Sequence, residues 1–151
     1  MREVRGKITI TPPLSWLEFK DSGLYHEEGL GPPWRDEREY VHLDVASTTV
    51  DTAEGPLTRR EAGAILPPEG SWPRDEGAAL IHEIVALVDA TRDRHSYDGE
   101  LIFFGIDTGD ISRVVIKDNR ATLEQAAVVW PDGTSLDLTR ELWYPRQISP
   151  T

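Results

Sequence analysis

An α+β domain is the fold class this sequence predicts, with a mainly antiparallel sheet of about five to six strands and one long and one short helix on one face. Three observations lead there. Apolar residues alternate at period two in several separate runs, as half-buried strands require. Residues 80–88 place Leu80, Ile81, Ile84, Val85, Leu87 and Val88 at three- and four-residue spacing, the pattern of an amphipathic helix. The later runs are joined by short polar connections rather than crossover helices, which disfavours a doubly wound parallel sheet. A length of 151 residues fits one domain spanning 1–151.

The first strand is predicted from Val4, Ile8 and Ile10, which share one parity, and it is expected to stop near Thr11 at Pro12 and Pro13. Ser15 and Glu18 then form S-x-x-E, a capping box that opens a short helix ending near Gly23. Residues 24–38 carry glycines, prolines and many charges without a period, and read as an irregular loop. Val41, Leu43 and Val45 mark the second strand; the turn signal DTAEGP and the run LTRREAGAIL make it a hairpin with the third. A second loop, PPEGSWPRDEG, leads into the long helix. After the connector RDRHSYDG, the runs ELIFFGI, ISRVVIK and ATLEQAAVVW read as three strands of a meander. LDLTRELWYP, after the WPDGT turn, fits an edge strand and a final helical turn equally.

Twenty-seven acidic against 16 basic side chains give a net charge of -11. Phosphate backbones and anionic membrane surfaces are repelled by such a surface, so neither direct nucleic-acid binding nor a membrane partner is expected. The absence of cysteine removes thiolate catalysis and Cys-bound zinc, and it fits a cytoplasmic location.

The segment IDTGD, residues 106–110, follows the apolar LIFF and has the form of an aspartic-protease loop. One D-T-G copy would need a homodimer to pair two Asp107 carboxylates. Between two β-rich runs, D-x-G-D is also what a tight turn needs, and the turn is the favoured reading. His82-Glu83 begins an H-E-x-x-H zinc motif, but Ala86 occupies the second ligand position, so His82 reads as a polar-face helix residue. Asp89, Asp93, His95, Asp98 and Glu100 are a dense set of potential ligands, four carboxylates and an imidazole, without calcium-loop spacing. They read as a hydrated helix end that could hold a divalent ion weakly. No catalytic residue, metal site or cofactor is assigned.

Two tryptophans stand in Gly/Pro-rich loops, Trp34 in GPPWRDE and Trp72 in EGSWPRDE, each followed by an arginine, Arg35 and Arg74, and an acid. Loop aromatics bury much area at little entropic cost, which makes these four residues the predicted partner-binding set. Plugging one side of the sheet is the competing role for both indoles.

Five segments, KITITPPLSW (7–16), VDTAEGPLTRR (50–60), IHEIVALVDA (81–90), DTGDISRVVIKDNRA (107–121) and VVWPDG (128–133), resemble an uncharacterised family of actinobacterial and actinophage proteins, a domain of unknown function. The resemblance implies an accessory protein of an actinobacterium or its phage, and it brings no activity or site residues with it. The function expected is a small, acidic, non-catalytic interaction module with a protein partner, which the charge allows to be basic. Two alternatives stand beside it. One is an inhibitor that mimics nucleic acid to block a host or defence protein; the other is a hydrolase using Asp107 or the 89–100 carboxylates.

Overall fold

A computed structural model of the chain describes residues 2–25, 40–68, 77–105 and 111–136. Its main body is a six-stranded sheet in the order β2-β3-β1-β4-β5-β6. The strands are β1 (Arg2–Ser15), β2 (His42–Thr52), β3 (Gly55–Leu66), β4 (Ser96–Gly105), β5 (Ile111–Lys117) and β6 (Arg120–Gln125). Every neighbouring pair is antiparallel. β1 therefore lies mid-sheet, with the β2–β3 hairpin on one side and the β4–β5–β6 meander on the other. Two small helices, α1 (Trp16–Phe19) and α2 (Gly77–Thr91), and a short ribbon of β7 (Val128–Val129) with β8 (Ser135–Leu136) complete the described structure.

Register explains the core. Val4, Ile8 and Ile10 of β1 share a face with Leu101 and Phe103 of β4, and Leu101 stands opposite Val114 of β5. Ile8 faces Ile65, which faces Leu43, so the same layer continues into the hairpin. Ile81, Ile84, Leu87 and Val88 of α2 join these side chains in one buried cluster. Those are four of the six positions that three- and four-residue spacing selects; Val85 is half-buried, and His82 on the opposite side is exposed. Full burial of each such aliphatic or aromatic side chain contributes roughly 1.5–3 kcal/mol.

The other sheet face carries charged side chains among half-buried Ile102, Phe104 and Val115. Arg113 of β5 faces Glu124 of β6 and pairs with it at 2.7 Å, and it reaches Glu100 of β4 at 2.9 Å. Lys117 closes the ladder on Glu124 at 2.7 Å. Arg5 of β1 lies over the Phe104 ring at 5.6 Å and pairs with Glu3.

Close approach of β1 and β4 depends on two glycines. Gly6 (φ 109) stands opposite Leu101, and Gly99 (φ 120) opposite Ile8. A Cβ on Gly6 would strike the Glu100 carbonyl oxygen, and one on Gly99 would strike the Lys7 carbonyl oxygen. Only glycine meets both the positive φ and the contact.

Several boundaries differ from the sequence expectation. β1 does not stop at Thr11; it continues through Pro12 and Pro13 to Ser15, with a register shift against β3 between Thr9 and Leu14. The irregularity accommodates prolines that cannot donate to a regular ladder. α1 ends at Phe19 rather than near Gly23, and the helices have four and 15 residues, so both are small. β4 takes up part of the connector, starting at Ser96. ATLEQAAVVW is not one strand but splits into β6 and β7. The 106–110 turn, most of the 24–38 loop, the loop containing Trp72 and most of LDLTRELWYP lie outside the described residues.

Candidate functional site

The junction between β1 and α1 is built by local chemistry. Ser15, in an extended conformation, precedes Trp16, and the Glu18 carboxylate accepts from both the Ser15 amide and the Ser15 hydroxyl at 3.0 Å. That is the predicted cap. The same carboxylate also holds a distant group: His95 Nε2 lies 2.9 and 2.8 Å from its two oxygens, and Arg94 Nε donates at 3.2 Å. His95 Nδ1 donates to the Pro12 carbonyl at 2.6 Å. An acceptor thus stands at each ring nitrogen of His95. Burial pushes the Glu18 carboxyl upward, but the Ser15 amide, His95, the Ser15 hydroxyl and Arg94 together outweigh it and bring the pKa from 4.5 down to about 2.

Below this junction the connector is fastened to the meander. Asn119, at φ 57 in the β5–β6 turn, accepts from the Tyr97 amide at 2.7 Å. Its Nδ2 donates to the carbonyls of Arg92 and His95 at 2.8 Å. The Tyr97 hydroxyl meets Thr91 Oγ1 at 2.5 Å, and burial raises the phenol pKa despite that bond. The hydrated helix end expected over residues 89–100 is in part interior: Thr91, His95 and Tyr97 are buried. Among the described residues no three His, Asp or Glu side chains converge as a cation site. Glu100 is instead committed to Arg113 across the strands.

The locked junction positions a groove of about 550 Å³ between α1 and β3. Ser15, Trp16 and Leu17 form one wall, and residues 58–61 of β3 form the other. The Trp16 indole packs edge-on against Phe19 and Tyr25, each at 5.6 Å, and the Arg60 guanidinium sits 5.0 Å above its ring. Leu17 is 76% exposed, the most exposed large apolar side chain among the described residues. Beyond the groove the hairpin runs on as an arm, where the directly opposed Val50 and Leu57 are also exposed. The arrangement offers apolar area, an aromatic wall and guanidinium groups on an open surface.

The four predicted binding residues, Trp34, Arg35, Trp72 and Arg74, lie outside the described residues, as does Asp107. Sequence reasoning passed over Trp16 and Leu17. The available signal was the S-x-x-E cap itself, which fixes both at the start of a helix too short to bury them on two sides.

The model of a family described as a family of unknown function (DUF6205) matches residues 1–139. No curated protein and no solved structure matches the chain. No helix among the described residues is long and apolar enough to cross a membrane.

Proposed function

We propose a function from this premise: the chain belongs to the DUF6205 family, and its own surface supports a small, acidic, non-catalytic protein-interaction module. The observation that carries the reading is the open groove beside α1, where Leu17 is left 76% exposed next to Trp16. An exposed aliphatic side chain beside an aromatic wall in a groove has the composition of protein-binding anchors, which supports the reading. The role is that of an accessory protein of an actinobacterium or its phage, supported by the sequence segments that resemble such proteins. Action in the cytoplasm is supported by the absence of cysteine. Mimicry of nucleic acid has less support, because Glu3, Glu100 and Glu124 on the charged face each pair with a cation instead of forming an uninterrupted anionic row.

Site-specific photo-crosslinking tests the reading. A benzophenone side chain at position 17 of the full chain, irradiated in an actinobacterial lysate, is expected to give a discrete protein adduct. The same group at Thr122, exposed on β6, gives none. Equal labelling from both positions, or none from position 17, overturns the proposal.

A further inference from the structure

We infer that His95 is a proton-operated latch: it fastens the end of β1 to α1 only while both of its ring nitrogens carry a proton, and loss of one proton opens the junction beside the groove. The latch acts whatever partner the groove takes. Each ring nitrogen faces an acceptor. Nδ1 stands 2.6 Å from the Pro12 carbonyl oxygen, which can only accept. Nε2 stands 2.9 and 2.8 Å from the two carboxyl oxygens of Glu18. Each of those oxygens already takes a hydrogen bond from an obligate donor, Oε1 from the Ser15 amide at 3.0 Å and Oε2 from Arg94 Nε at 3.2 Å. Glu18 is therefore an ionised acceptor, and its pKa of about 2 agrees. Only the imidazolium places a donor at both nitrogens.

A neutral ring has one N–H and one lone pair. Whichever nitrogen gives up its proton then sets a lone pair against an oxygen lone pair at hydrogen-bonding distance, and that contact has to open. With its side chain only 6% exposed, His95 is poorly placed to turn the bare nitrogen to water instead. Opening at Nδ1 frees the end of β1, and opening at Nε2 frees α1. Ser15 closes the first and Trp16 and Leu17 begin the second, so either event loosens a wall of the groove.

The groups around the ring make it the part that switches. Glu18 faces it from α1 and the Pro12 carbonyl from β1, while Arg94 shares Glu18 and pairs with Asp93 at 3.6 Å. Thr91 of α2 is bonded to Tyr97 of β4, whose phenol is pushed up by burial and also by the charge of Glu18. From the β5–β6 turn the Asn119 amide arrives on the His95 carbonyl. Of these side-chain types only imidazole ordinarily changes charge between about pH 5 and 8. A fastening made by the protonated ring is present at lower pH and lost as pH rises, the opposite sense to Glu18, whose contribution is lost toward acid.

Nitrogen NMR of the full, isotope-labelled chain tests this. At about pH 6 both ring nitrogens of His95 should show the shifts of protonated imidazole nitrogens. As the pH is raised to about 9, one of them should lose its proton. The amide signals of Leu14 to Phe19 should move with the same midpoint, while that of Ile84 in the α2 core stays still. His95→Gln should abolish the movement of those amides. A bare ring nitrogen at the acid end of the series, a ring that keeps both protons to its alkaline end, or a titration that leaves the Leu14 to Phe19 amides unmoved each overturns the latch. So does movement that persists in His95→Gln. If that variant does not fold, the spectra of the parent chain decide alone.

Discussion

His95 Nε2 lies 2.8 Å from Glu18 Oε2, joining segments that are 77 residues apart in the chain. Through this contact the end of α2 sets the position of α1, and α1 is one wall of the groove. Removing His95 leaves a half-buried carboxylate short of its main distant partner. His95→Ala is expected to cost on the order of 3 kcal/mol in urea melts at neutral pH. A loss below about 1 kcal/mol would show that Ser15 and Arg94 hold Glu18 without help.

Acid should remove the stabilisation that Glu18 provides. Its folded pKa, about 2, lies below the ordinary 4.5, so the contribution is fully present above pH 4.5 and is lost as pH falls through about 2. Glu18→Gln should therefore be less stable than the parent at pH 7, with a difference that shrinks steadily across that window. Denaturant melts of both proteins over the acid range check this. A constant difference would mean that the carboxylate charge is not what matters.

Ile84 is fully buried in α2. Ile84→Ala should cost about 2–5 kcal/mol, the range for truncating a core aliphatic residue and leaving a cavity. Chemical denaturation read by tryptophan fluorescence measures it.

Asn119 combines a left-handed backbone with three hydrogen bonds from its side chain. Substitution separates the two roles. Both variants lose the bonds, but Asn119→Ala keeps a Cβ at φ 57 where Asn119→Gly removes it, which favours the glycine variant by about 1 kcal/mol. Ranking the two variants by melting temperature tests the division, and an alanine variant as stable as the glycine one would refute it.

Local chemistry was legible in the sequence, and long-range neighbours were not. The Ser15–Glu18 cap spans three positions and the buried face of α2 repeats every three or four, so both could be read directly. Alternation in REVRGKITIT told which side chains of β1 face the core. It could not tell that β1 lies between β3 and β4, because period two fixes a face and leaves the neighbour open. His95 looked like one more polar residue of a charged connector, since its partners Pro12 and Glu18 come from the far end of the chain. The groove was hidden for a related reason. It exists because β1 leaves the sheet before β3 ends, and two prolines inside β1 made that strand look shorter than it is.

The Gly6 and Gly99 pair also acts as a steric proofreader of assembly. If β1 slid by two positions along β4, the place opposite Leu101 would fall to Val4 or Ile8, and a branched side chain would arrive where Gly6 now clears the Glu100 carbonyl. A slip by one would turn the whole apolar row of β1 toward water. Near-miss alignments of β1 on β4 are thereby disfavoured, so the middle of the sheet admits one alignment.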